Sequence, residues 1–188
     1  MKNYLRSISI VAVLLVAVLT PTTSLFAKPE KTEEELIQDL SDPKDAVVKS
    51  AMLAIEKRFP HSPKATPLIK AALKDSRPEV RRKAARVLGV WHEELSAAEL
   101  KDITVMLKTN ERYEVTDALK ALGDMRAKAA IPEILPCLKN ENSFIVRDAC
   151  RTLAVIGDKS VIPSIEPLTS STDPKIKKDA EDAIFKLK

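Results

Sequence analysis

Val80-Arg81-Arg82-Lys83-Ala84-Ala85-Arg86-Val87-Leu88-Gly89 decides the fold, because it returns further on as Ile145-Val146-Arg147-Asp148-Ala149-Cys150-Arg151-Thr152-Leu153. In both stretches apolar residues stand four apart (Val80, Ala84, Leu88; Ile145, Ala149, Leu153), which places them on one stripe of an α-helix. The central alanine recurs as Ala51, Ala84, Ala118, Ala149 and Ala180, at spacings of 33, 34, 31 and 31 residues. Four positions after it stand Ile55, Leu88, Leu122, Leu153 and Ile184; four before it stand Val47, Val80, Glu114, Ile145 and Ile176. Eleven before it are Leu40, Leu73, Leu107, Leu138 and Thr169, and fifteen before it are Leu36, Ile69, Ile103, Ile134 and Ile165. Glu114 and Thr169 are the exceptions in an otherwise apolar pattern, and a period of this length marks a repeat array.

Each copy therefore holds two helices. The first carries the positions fifteen and eleven before the alanine, and the second carries the alanine with its neighbours four away on either side. Between them lie Ser41-Asp42-Pro43, Asp75-Ser76-Arg77-Pro78, Asn110, Asn140-Glu141-Asn142 and Asp173-Pro174. Such residues offer a side-chain oxygen to the free N–H groups of the next helix, and proline suits a first turn because it lacks that N–H. Pro67, Pro132 and Pro163 share one position near the start of the first helix. Thr32-Glu33-Glu34-Glu35 and Ser96-Ala97-Ala98-Glu99 read as capping boxes. Gly89, Gly123 and Gly157 fall near the ends of second helices, where a left-handed residue is expected. The small central residue lets two helices approach closely.

The reading is all-α: an α-solenoid of five antiparallel hairpins, spanning about 32–59, 63–91, 96–124, 127–157 and 159–187. The two quoted stretches, together with Ala130-Ile131-Pro132-Glu133-Ile134-Leu135, resemble the HEAT-like repeats of phycobilin lyases. The resemblance covers almost all of residues 32–188. It implies a right-handed superhelix whose second helices line a concave face. It is specific for fold and not for function, since one scaffold hosts many roles. At the ends, Asp39 replaces the inner Ala72, Met106 and Cys137, and Glu181 replaces the inner Ala85, Leu119 and Cys150. Polar outer faces of this kind close a solenoid, so a monomer is expected.

The first 27 residues read differently. Lys2 and Arg6 precede an unbroken apolar run from Ile10 to Leu19, which Pro21 ends; Leu25-Phe26-Ala27 follows. The run is shorter than the roughly 20 residues a membrane-spanning helix needs, and its order of features is that of a secretory signal peptide cleaved after Ala27. Residues 28–188 then form the repeat domain, with 29 basic and 27 acidic side chains and a net charge of +2. So small a surplus makes no global case for nucleic acid. An exported protein, periplasmic or secreted, with no membrane span in its mature chain is expected.

Little in the chain speaks for catalysis. The two histidines are His61 and His92. The deoxyhypusine hydroxylases, which carry HEAT-like repeats, bind two irons through several His-Glu pairs; here one pair, His92-Glu93, is present, and one imidazole cannot build such a site. No cofactor and no metal are expected. Cys137 and Cys150 fall level with one another in one hairpin, at positions that are apolar in other copies. They form either a disulfide, which an oxidising compartment allows, or two small buried core residues. Two positions before and two after the central alanine stand Lys49, Arg82, Arg86, Lys120, Arg147, Arg151 and Lys178. Stacked hairpins align these into a basic stripe, flanked by Asp117, Asp148 and Asp179. Two outcomes are open, a solvated helix face or a ladder that docks a protein or an anionic envelope component. Nucleic acid is not the expected partner, because no stacking aromatic interleaves the stripe. The leading expectation is a non-enzymatic binding or scaffold module of the cell envelope; the alternative is a HEAT-like metal-dependent enzyme or enzyme-associated subunit. Expressed in a bacterial host, the protein recovered from the exported fraction should have the intact mass of residues 28–188. A full-length mass retained with the cells would contradict the signal-peptide reading.

Overall fold

The computed structural model describes residues 30–188, and among these every regular element is helical. The segment read as a signal peptide, residues 1–27, lies outside the described residues. Five hairpins follow one another: α1 (Glu33–Asp39) with α2 (Asp45–Arg58), α3 (Thr66–Ala71) with α4 (Pro78–Val90), α5 (Ala97–Val105) with α6 (Arg112–Asp124), α7 (Ile131–Ile134) with α8 (Ser143–Ile156), and α9 (Ile162–Ile165) with α10 (Pro174–Leu187). The odd-numbered helices form one layer and the even-numbered helices the other.

The two layers differ in regularity for a local chemical reason. The even helices run unbroken for 13 or 14 residues. α7 and α9 stop after four residues and continue as the 3-10 turns Leu135–Lys139 and Glu166–Ser170. Pro136 and Pro167 have no N–H to donate to the carbonyls of Pro132 and Pro163, so the α pattern cannot continue. Both capping boxes form: the Thr32 hydroxyl accepts from the Glu35 amide and the Ser96 hydroxyl from the Glu99 amide, with each glutamate carboxylate accepting the cap amide in return. Asn142 and Asp173 cap α8 and α10 with their side-chain oxygens. Asp42 and Asp75 instead accept the amides of Lys44 and Arg77 within the turn.

The core is one continuous cluster between the layers. The five central alanines are buried, as are Leu36, Ile69, Ile103, Ile134 and Ile165 facing them from the odd helices. Each such isoleucine or leucine contributes about 1.5–3 kcal/mol by leaving water. The exception Glu114 is equally buried, at 2% exposure, because Arg81 of the preceding hairpin meets its carboxylate at 2.7 Å. Thr169, the other exception, turns its hydroxyl back onto the Glu166 carbonyl at 2.8 Å.

The even helices pack directly on one another in the order α2, α4, α6, α8, α10, while the odd helices touch mainly their own hairpin partners. In a two-layer stack the more closely spaced layer lies inside any curve. Gly89 and Gly123 explain the close spacing. The expectation that all three glycines close helices in a left-handed conformation is corrected here, since only Gly157 does so, with φ 80°. The equivalent positions in the two preceding hairpins are His92 and Arg126, each with φ 50°. Gly89 and Gly123 lie three residues earlier and face the next hairpin. A Cβ on Gly89 would stand 2.9 Å from the Ala121 Cα, whereas one on Gly123 would stand 3.5 Å from the Thr152 Cγ2. The first distance is a clash with backbone and the second is ordinary contact. Gly89→Ala should therefore destabilise the fold by about 1–3 kcal/mol through overpacking. Gly123→Ala should stabilise it by up to about 1 kcal/mol through helix propensity. Denaturant unfolding of the two variants checks this, and shifts of the same sign would contradict it.

Candidate binding face

All seven stripe residues lie on the even helices: Lys49 on α2, Arg82 and Arg86 on α4, Lys120 on α6, Arg147 and Arg151 on α8, and Lys178 on α10. Most of their charge is already met by protein carboxylates. Lys49 lies 3.4 Å from Glu79, Arg82 2.7 Å from Asp117 and also from Glu79, and Lys120 3.1 Å from Asp124. Arg147 and Arg151 converge on Asp179 at 2.6 and 2.9 Å, and Lys178 meets Asp182 at 2.8 Å. Arg86 is exposed and has no carboxylate partner among the described residues. The stripe carries a ladder of ion pairs, several of which join neighbouring hairpins. Those at the solvent edge contribute little, about 0–1 kcal/mol. The one at Asp179 is different, because that carboxylate is buried and takes hydrogen bonds from two guanidinium groups; such bidentate, charge-assisted bonds are the strong class.

The α6–α8 junction departs from this scheme. Thr116 stands where other hairpins carry Arg or Lys, and Gly123 removes a side chain from the floor. The result is an open groove of about 330 Å³ lined by Thr116, Asp117, Lys120, Asp148, Arg151 and Val155 among others. Burial raises the Asp148 carboxyl above its ordinary range, against the pull of Arg151 and Arg147. Beside the groove, Tyr113 and Phe144 hold the same place in successive hairpins and are 55% and 53% exposed. The Arg112 guanidinium carbon lies 4.0 Å from the Tyr113 ring centre and 5.0 Å from that of Phe144, and the Arg82 carbon lies 5.3 Å from the Tyr113 ring. Stacking aromatics therefore do adjoin the stripe, contrary to the sequence reading. The signal that could have found them was two aromatics at one repeat position, five before the central alanine, where other copies carry Ala46, Glu79 and Lys175.

The profile of the HEAT-repeat family matches residues 33–119 and 103–184. The chain belongs to the HEAT-repeat family. No curated protein sequence matches it. Among solved structures, it is similar to the complex of CpcE and CpcF of phycocyanin lyase from Nostoc sp. PCC7120, with TM-score 0.70 and 21% identity over 85% of this chain and 66% of that one. It is also similar to a designed armadillo repeat protein in complex with the peptide (KR)4, with TM-score 0.64 and 16% identity over 82% of this chain and 81% of that one. At these identities the likeness is one of fold. It agrees with the five stacked hairpins, and HEAT and armadillo arrays share that architecture.

The remaining candidate groups sit apart from this face. The His92-Glu93 pair is split: the His92 Nδ1–H donates to the Asp124 carbonyl at 2.6 Å, while Glu93 turns to His61 and Lys70 at 3.5 and 3.4 Å. His61, Lys70, Glu93, Glu99 and Asp102 line an open groove of about 780 Å³ between α3 and α5 on the odd layer. Among the described residues no cluster of His, Cys, Asp and Glu has the arrangement of a metal site, and no helix is long and apolar enough to cross a membrane.

In the fourth HEAT repeat, Cys137 and Cys150 are both buried and both free. Burial raises both above the ordinary thiol range, and Cys150, with Asp179 adding to the effect, is pushed up to about 12. Such thiols are inert. A thiol reagent at pH 8 should leave both unmodified in the native protein and modify two per chain in denaturant; one or none in denaturant would mean that they are bonded. The raised Cys150 value also fixes a sign. The unfolded thiol ionises near 9.0 while the folded one stays neutral, so its contribution is complete below that pH and is lost as pH rises toward 12.

Proposed function

We propose that this chain is a non-enzymatic binding or scaffold module that holds an extended protein segment along the exposed, concave face of its even helices. The single observation that carries the reading is the exposed Tyr113 and Phe144 pair, lined up across α6 and α8 beside an open groove. Exposed aromatics stacked by arginine are what a protein surface presents to a partner: large contact area, little side-chain entropy to lose, and a polar edge. Solenoids favour this use because stacked repeats make a long, continuous surface. The designed armadillo protein that shares the fold was solved with a peptide bound. We further propose, from the first 27 residues alone, that the module works outside the cytoplasm, in the periplasm or beyond.

A second reading, an enzyme-associated subunit, draws on the likeness to the lyase subunits. It predicts contact with one enzyme rather than with an extended segment.

Site-specific photo-cross-linking in the native host separates these surfaces. A photoreactive residue at Thr116, in the even-layer groove, should capture a discrete partner. The same group at Leu68, exposed on α3 in the odd layer, should not. Equal capture from both positions would contradict the assignment of the face, and capture of a single enzyme from Thr116 would favour the second reading.

A further inference from the structure

Arg112 differs from the other cations of the face in how it is held. Its guanidinium is stacked by Tyr113 of its own helix and by Phe144 of the next hairpin. Stacking on a ring engages the face of the planar group and not its N–H edge. Among the described residues Arg112 makes no ion pair and no hydrogen bond, while most stripe cations are bound to an aspartate or glutamate. A guanidinium fixed by aromatic rings with its donors open is a fork for a planar oxyanion, since its five N–H groups match a carboxylate in bidentate fashion. Its flexibility is already lost before a ligand arrives, so less is forfeited on binding.

Arg86, one hairpin earlier, is a stripe cation without a carboxylate partner among the described residues. Neighbouring helices in a stack lie about 8–10 Å apart; Arg86 stands two residues after its central alanine and Arg112 six before its own, which adds about 12 Å along the helix axis. An extended chain advances about 3.3 Å per residue, so positions about four or five apart on one segment crossing obliquely reach both.

Resting on the binding reading above, we propose that the partner is an extended acidic protein segment in which carboxylates stand about four or five residues apart beside large apolar side chains. One glutamate or aspartate docks on the open edge of Arg112, another on Arg86, and an apolar side chain covers the Tyr113 and Phe144 rings. Single-stranded nucleic acid also combines anions with stacking faces, but the same surface carries Asp117, Asp124, Asp148 and Asp182, which repel a continuous run of phosphates and tolerate discrete carboxylates between them.

The test uses the full chain and four fluorescein-labelled probes read by anisotropy: the nonapeptide Glu-Phe-Ser-Ser-Glu-Phe-Ser-Ser-Glu, the same peptide with Gln for Glu, the same with Lys for Glu, and a ten-residue oligothymidylate. The Glu peptide should bind at least about tenfold more tightly than the Gln peptide, a margin expected for one charge-assisted bidentate contact. Arg112→Gln should remove most of that margin while leaving the weak binding of the Gln peptide unchanged. Arg112→Lys, which keeps the charge and loses the fork, should restore the margin only in part, and Arg86→Gln should reduce it. Equal binding of Glu and Gln peptides, full rescue by Lys, or tighter binding of the oligothymidylate each overturns the proposal. If the Gln or Lys peptide binds as well as the Glu peptide and Tyr113→Ala abolishes that binding, the carboxylate assignment fails while the binding face stands. If no peptide binds, both fail.

Discussion

The approach of Gly89 to Ala121 is the contact on which the rest of the molecule depends. It brings α4 and α6 together at a distance that no side chain on residue 89 would allow. With the even helices this close, each hairpin repeats the orientation of the one before, and surface positions that are a repeat apart in sequence become neighbours in space. That proximity makes the bridges between hairpins possible: Arg81 to Glu114, Arg82 to Asp117, and Arg147 with Arg151 to Asp179. The Thr152 hydroxyl adds a buried bond to the Leu119 carbonyl across the next junction. In a quasi-one-dimensional array the junction energies hold neighbouring repeats in one cooperative unit.

The same junctions decide which charges are left over. A side chain that reaches the next hairpin's aspartate is no longer available to a partner, and the solvated surface pairs add little further attraction. What the face offers is therefore not its total of basic residues. It offers groups that found no acid among the described residues, Arg86 and Arg112 among them, and the aromatic rings that hold one of them in place. At the α6–α8 junction the bridging arginine is absent, the floor is lowered by Gly123, and Tyr113 and Phe144 stand exposed. The interruption in the ion-pair ladder and the candidate site coincide.

Much of this architecture was legible in the sequence. The central alanines and their flanking aliphatics mark the even helices directly, because helical periodicity is a local property. Thr32 and Ser96 announced the starts of α1 and α5 for the same reason. Glu114 looked like an error in the pattern and is a buried ion pair, invisible until Arg81 of another hairpin is placed beside it. Asp117 and Asp179 flank the stripe in the sequence, but pairing within a helix and pairing between hairpins give the same sequence columns; only the lateral offset of the stack separates them. Gly89 and Gly123 misled because glycine serves equally for a left-handed cap and for close approach. Tyr113 and Phe144 are hard to read from sequence because a position shared with Ala46, Glu79 and Lys175 has no consistent character, although its two aromatics fall in adjacent copies.

The most direct measurement of the account is a double-mutant cycle across the junction that sets the stack. Arg81 on α4 meets the buried Glu114 carboxylate on α6 at 2.7 Å, a contact that exists only where the two helices lie this close. The account predicts that Arg81→Met and Glu114→Gln, made singly and together and read by denaturant unfolding, couple by about 0.5–3 kcal/mol. Additive effects of the two substitutions would contradict the tight stacking of α4 on α6 and with it the alignment of the binding face.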